Sequence, residues 1–119
     1  RKCTKLSGGE NQRVLASRAC MKLLNGGTKL LIADEATSAM DPVAERALLT
    51  GFLEHRQHGK GKGMTMIFVT HRFGYLVGHA DQILCLDGGK VVERGTHKEL
   101  MAVRGEYARM YSAQAQAYE

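Results

Sequence analysis

The sequence has no apolar run long enough to cross a membrane as a helix. Its longest uniformly apolar stretches, "LLIA" and "MIFV" among them, fall far short of the roughly 20 residues that a bilayer requires. The N-terminus lacks the pattern of a secretory signal, so the segment by itself reads as soluble. It also lacks an initiator methionine, and the abrupt start at Arg1 leads us to expect a piece of a longer chain. The three cysteines, Cys3, Cys20 and Cys85, form no C-x-x-C pair and leave an odd count, which suits a reducing compartment better than a secreted disulfide scaffold. Aromatic residues, 6% of the chain, do not interleave with the basic ones. The net charge of +5 therefore reads as scattered, solvated charge, and no nucleic-acid partner is expected. Internal repeats and low-complexity tracts are absent too.

What is present is ordinary for a folded segment: 119 residues, 44% hydrophobic and 24% charged, enough for one domain and too few for two. Residues 8–25 read as a helix with Val14, Leu15, Ala19 and Leu23 on one face, stopped by Gly26-Gly27. Residues 30–33 are a short, uniformly apolar run, which fits a central strand covered on both faces. Asp41 caps a second helix that has Pro42 in its first position and runs to about His58. After a "GKGKG" loop, residues 64–69 form a second apolar strand ending at Thr70-His71. Residues 83–86 and 91–93 flank Gly88-Gly89 as a β-hairpin. Thr96 with Glu99 makes a capping box for a short helix, and residues 106–118 read as a last one through Tyr107, Met110 and Tyr111. Helices alternating with buried strands predict an α/β fold of parallel strands, with a small antiparallel hairpin and helices at the end.

Three stretches carry chemistry. In "LSGGENQR", residues 6–13, Ser7 and Glu10 alone make a capping box. Capping does not explain Gly8-Gly9, since each glycine inside a helix costs about 1 kcal/mol relative to alanine. A hydroxyl, bare N–H groups and the positive end of a helix dipole together make an anion site. In "LLIADEATSAMD", residues 30–41, an apolar strand releases two adjacent carboxylates at its C-terminal end, where open parallel sheets bind ligands. Alternation points Asp34 and Glu35 differently. One suits Mg²⁺ held together with nucleotide phosphates, the other an attacking water. His71, in "THR" after the second strand, stands at the same edge and could reach a phosphate oxygen or that water.

Taken together, these stretches resemble the nucleotide-binding domain of ATP-binding cassette (ABC) transporters. "LSGGENQRVLASRA" is similar to the ABC signature and its helix, "LLIADE" to the Walker B strand of a P-loop NTPase, "SAMD" to the D-loop, and "THR" to the switch-histidine loop. The tail "ADQILCLDGGKVVERGTHKELM", followed by "GEYARMY", is similar to exporter-type domains that move lipids, peptides or drugs. The resemblance implies that Ser7, Gly8 and Gly9, flanked by Glu10, contact the γ-phosphate of ATP held by a second nucleotide-binding domain in a head-to-tail dimer. It implies that Asp34 supports Mg²⁺, that Glu35 is the general base or water-positioning carboxylate, and that His71 contacts the γ-phosphate. Ser38 and Asp41 would lie at the dimer interface. The parent would be an ATPase attached to a transmembrane domain that chooses the substrate, with this part on the ATP-containing, cytosolic face of the membrane. Glu10 stands where glutamine is commoner and Met40 where leucine is, and "HRFGYL" departs from the usual exporter loop.

Three elements of that family are missing. No G-x-x-x-x-G-K-[ST] phosphate loop occurs, "GKGKGMT" failing the spacing, and neither the base-stacking aromatic nor the glutamine loop is found upstream of the signature. The resemblance therefore extends to the C-terminal portion of the domain, residues 1–119, without its Walker A and Q-loop segments. Such a portion should bind ATP poorly and turn none over. A soluble ABC ATPase of the DNA-repair, chromosome-structure or translation-factor type, or a truncated inactive remnant, stays open at this point.

Overall fold

The computed structural model of the chain describes residues 8–24, 26–57 and 63–117. Ser7, Cys3, Asn25, most of the "GKGKG" loop and Tyr118, each singled out by the sequence, lie outside the described residues. The chain divides into two compact units, Arg1–His71 and Arg72–Glu119. Each has its own cluster of buried side chains, where length alone allowed a single core.

The first unit runs α1 (Gly8–Leu24), β1 (Leu30–Asp34), α2 (Pro42–Gln57) and β2 (Thr65–Val69). Each boundary has a local cause. Gly26 and Gly27 take positive φ of 79° and 82°, and the Gly26 N–H donates to the Leu23 carbonyl, which stops α1. Asp41 caps α2 through a 2.9 Å bond from the Ala44 N–H, with Pro42 in the first helical position as the sequence predicts. β1 and β2 pair in parallel, in register from Leu30 opposite Thr65 to Asp34 opposite Val69, and α2 is the crossover between them.

Leu23, Phe52 and Met64 form the core, packed by Ala19, Cys20, Leu31, Leu48, Met66 and Phe68. Both helices thus cover the same face of the two-stranded sheet. This corrects two expectations. The buried stripe of α1 is Ala19, Cys20 and Leu23, while Val14 and Leu15 are exposed, because the sheet and α2 reach only the C-terminal half of that helix's apolar side. β1 is covered on one face, not two. Leu31 and Ala33 are half-buried while Leu30 and Ile32 stay 52% and 61% exposed, with Ile67 and Val69 of β2 beside them. A uniformly apolar run reports that a strand can be buried on both faces, and here the helices among the described residues supply only one cover.

The second unit holds β3 (Ile83–Asp87), β4 (Lys90–Gly95), α3 (His97–Val103) and α4 (Glu106–Ala117). β3 and β4 form the expected antiparallel hairpin, turned by Gly88 and Gly89 at φ of 56° and 76°, with a bulge between Cys85 and Leu86. Thr96 caps α3 as expected, its hydroxyl oxygen accepting from the Glu99 N–H, but the Glu99 half of the capping box differs: Oε1 accepts from the Thr96 hydroxyl at 3.1 Å and not from its backbone N–H. Val77, Cys85, Leu100 and Tyr107 make this unit's core, with Phe73, Ile83, Met101 and Tyr111 against it. Tyr107 bonds His97 Nδ1 through its hydroxyl at 2.8 Å, and burial, with Tyr111 and Cys85 adding, pushes its phenol up to about 12. No helix among the described residues is long and apolar enough to cross a membrane.

Candidate functional site

The C-terminal ends of β1 and β2 lie side by side because the strands are parallel, and the chemistry-bearing residues of the first unit gather there. Asp34 ends β1 on the exposed side of the sheet. Glu35 then leaves the strand with φ of 53°, in the left-handed region that a glutamate enters only when its surroundings hold it there. Its N–H donates to the Val69 carbonyl at 2.8 Å, which carries the parallel ladder one residue past the strand. Asp34 is the last residue of the extended strand and Glu35 the first of the turn, so the alternation expected for the pair stops between them.

Glu35 Oε1 stands 3.2 Å from His71 Nε2, their side chains being 36% and 88% exposed. The contact is an ion pair only while His71 is protonated. At this exposure it is worth no more than about 1 kcal/mol, so it orients the carboxylate more than it holds the fold. One face of each group stays open to solvent, as a pair needs if it is to orient a water or meet an incoming anion.

After Glu35 the chain turns tightly. The Ser38 N–H donates to the Glu35 carbonyl at 3.3 Å and the Met40 N–H to that of Thr37 at 3.0 Å, which buries Met40. Asp41 follows as the cap of α2. Its carboxyl is held below the usual range, first by the Ala44 N–H and further by the Val43 N–H and by Arg13, whose guanidinium lies 3.5 Å from Oδ2; the partial loss of water opposes them.

The N-terminal end of α1 comes to the same loop. Gly8 opens the helix, and a methyl group there would meet Ala39 Cβ at 3.6 Å, an ordinary contact. Packing among the described residues therefore does not demand the glycine. Gly9 and the exposed Glu10 complete the first turn, and an acidic residue there complements the helix dipole.

Of the residues singled out by the sequence, the structure thus brings Glu35 and His71 into contact, puts Asp34 beside them in the chain, and gathers Gly8, Ser38 and Asp41 around one loop. Sequence reasoning gave no role to Gln12 and Arg13, although both fall inside the quoted stretch. Gln12 Nε2 donates to the Glu35 carbonyl at 2.9 Å and to Ser38 Oγ at 3.0 Å, while its Oε1 accepts from the Ala39 N–H at 2.8 Å. Their spacing held a signal: Gln12 lies one helical turn beyond Gly8, on the same side of α1.

Among the described residues, no cluster of three or more His, Cys, Asp or Glu side chains is arranged to hold a metal by itself. A cavity of about 510 Å³ against α3 and α4, lined by Arg104, Arg109 and Ser112 among others, contains none of the candidate residues.

The chain as a whole is similar to known proteins. No protein-family profile matches the chain. It is 45% identical over 107 residues, 90% of its length, to an ATP-dependent lipid A-core flippase of Pseudomonas syringae pv. tomato. It is 42% identical over 109 residues, 92% of its length, to a probable multidrug resistance ABC transporter ATP-binding/permease protein, YheI, of Bacillus subtilis. These cover 16% and 17% of the two relatives, so the chain spans about a sixth of the proteins it matches. Among solved structures, a bacterial Atm1-family ABC exporter with ATP bound superposes at a TM-score of 0.73 and 36% identity, over 93% of this chain and 18% of that one. The fold is therefore the mixed α/β fold of a segment of an ABC exporter.

Proposed function

We propose that the chain is the C-terminal portion of the nucleotide-binding domain of an ABC exporter, residues 1–119, and that its parent couples ATP hydrolysis to export across a membrane. The observation that carries this reading is Glu35. It stands at the C-terminal end of a parallel strand, held at φ of 53°, with its carboxylate 3.2 Å from His71 at the end of the neighbouring strand. In this role Glu35 takes or orients the proton of the attacking water, and His71 donates a hydrogen bond to the γ-phosphate of ATP and keeps the carboxylate turned towards it. Both relatives and the solved neighbour are named for ATP or ABC transport, which agrees with this reading.

Mg²⁺ fits the residues present in one mode only. No cage of side chains is found among the described residues, and Asp34 can supply a single exposed carboxylate, the usual share where nucleotide phosphates and water complete the shell. Bound with the nucleotide, the ion supplies charge neutralisation on the phosphate oxygens. Ser7, Gly8 and Gly9, flanked by Glu10, offer the open end of α1 to the γ-phosphate of a nucleotide held by a second domain, with Ser38 and Asp41 at the interface between the two. A transmembrane domain of the parent carries the cargo, and this portion faces the compartment that contains ATP.

The test is Glu35→Gln in the full-length parent reconstituted in lipid. The reading expects ATP binding within about three-fold of wild type and turnover lower by about a hundred-fold or more, a hundred-fold being roughly the lower end of the range for a general base. Hydrolysis at the wild-type rate in Glu35→Gln would remove Glu35 from the chemistry.

A further inference from the structure

Gln12 spends both N–H donors of its carboxamide, and one acceptor direction of its oxygen, on one loop of the same chain. Two N–H bonds go to the Glu35 carbonyl and Ser38 Oγ at 2.9 and 3.0 Å, and the oxygen takes the Ala39 N–H at 2.8 Å. The bridged residues are 23 to 27 positions away in sequence, so the bonds tie α1 to the turn after β1. The Glu35 bond is the informative one. A residue at φ of 53° has its carbonyl rotated out of the strand ladder, and that carbonyl needs donors from elsewhere. It receives two, the Ser38 N–H from the local turn and Gln12 Nε2 from α1. Only the second comes from outside the turn and can hold the turn against the rest of the fold.

We propose that Gln12 is a positioning residue for the hydrolysis reaction. It clamps the backbone of Glu35 in the left-handed conformation that brings its carboxylate to His71. The inference rests on the functional reading above and deepens it. Gln12 bonds the carbonyl of Glu35 and not its carboxylate. It acts through Glu35, so its loss should misplace a carboxylate without removing it, and a displacement of about 1 Å in a reacting group costs up to a hundred-fold in rate.

The experiment measures MgATP hydrolysis, steady-state and single-turnover, by the full-length parent carrying Gln12→Ala, Gln12→Glu, Glu35→Gln and the double variant Gln12→Ala/Glu35→Gln. Ser17→Ala, which removes only a bond to the Arg13 carbonyl on the solvent side of the same helix, is the control expected at wild-type rate. Gln12→Glu keeps the size of the side chain and an acceptor for the Ala39 N–H but removes the donor to Glu35, so it tests the bond in a chain that folds.

Both Gln12 variants should lose about ten- to a hundred-fold in kcat with KM for ATP within about three-fold. The double variant should match Glu35→Gln alone, because a residue that acts through Glu35 has nothing left to position. A Gln12→Glu kcat within about two-fold of wild type overturns the inference. So does a further loss of the same factor in the Glu35→Gln background, which is what a general structural defect produces. If Glu35→Gln itself hydrolyses ATP like wild type, the functional reading fails first and takes the inference with it. If Glu35→Gln is inactive while the Gln12 variants are unaffected, the inference alone fails.

Discussion

Replacing Gly105 by alanine tests a place in the second unit with no room for a side chain. Gly105 sits between α3 and α4, and its carbonyl accepts the Arg109 N–H at 3.2 Å as the cap residue of α4. A Cβ at that position would lie 2.7 Å from Glu93 Oε1 and 2.9 Å from both Cδ and Oε2 of the same carboxylate. That carboxylate cannot step aside freely, because Oε1 accepts the Tyr107 N–H at 2.9 Å and Oε2 is buried with no hydrogen-bond partner. A methyl group therefore displaces the Glu93 carboxylate and breaks its bond to the first turn of α4. Losing a hydrogen bond to a charged group costs about 1.5–3 kcal/mol. The change also narrows the unfolded ensemble, a gain of about 0.4–1 kcal/mol that the poor standing of alanine at a helix cap roughly cancels.

The expected loss is therefore about 1.5–3 kcal/mol, which lowers the melting temperature of so small a unit by about 6 °C or more. Thermal unfolding and amide exchange at Tyr107 check it. Because the cause assigned is one carboxylate, the same substitution in a Glu93→Ala background should be close to neutral. Equal destabilisation by Gly105→Ala in both backgrounds, or a melting temperature unchanged in the first, refutes the reasoning.

Two further outcomes follow from the same structure. Calorimetry with MgATP on residues 1–119 should find millimolar affinity or weaker: a few phosphate hydrogen bonds of about 1.5–3 kcal/mol each must overcome an association cost of about 4 kcal/mol or more, and 1 mM corresponds to about 4 kcal/mol. Micromolar binding would mean that this portion holds nucleotide by itself. Tyr107, whose phenol rises from 10.0 unfolded to about 12 in the fold, is neutral when folded. Its contribution to stability is complete below the unfolded value and is lost as pH climbs towards the folded one, so melting temperature should fall less steeply between pH 10 and 12 in Tyr107→Phe than in wild type. Parallel slopes would show that the phenol does not ionise with unfolding.

The sequence was most legible where structure is decided within a few residues. Asp41-Pro42, the Thr96 and Glu99 pair, Gly88-Gly89 and Gly26-Gly27 each act on neighbouring N–H and C=O groups, and the elements they bound fall where predicted. Contacts across the chain were silent. No local rule states that Glu35 turns left-handed, that Gln12 reaches over 23 residues to hold its carbonyl, or that Glu93 caps a helix 14 residues away. The candidate carboxylates and histidine were legible because each follows an apolar strand. Their meeting, at 3.2 Å, depends on the register of β1 against β2, which hydrophobicity alone does not specify.

The exposed face of that sheet offers a last prediction whose sign depends on the functional reading. Leu30 and Ile32 of β1 and Ile67 and Val69 of β2 form a contiguous apolar stripe, each side chain at least 45% exposed. Such stripes on a two-stranded sheet with an open edge invite association. If residues 1–119 are a portion of a larger domain, more of the parent covers this stripe. Ile32→Lys should then act in opposite directions in the two settings. In the isolated chain the lysine stays in water, so stability changes little and aggregation, followed by light scattering, falls. In the parent the same lysine is buried without a partner, and the domain loses several kcal/mol or fails to fold. Limited proteolysis and thermal unfolding of both proteins read the difference. A parent that tolerates Ile32→Lys as well as the isolated chain does would show the stripe uncovered there, and the two-stranded sheet would have to be complete as it stands.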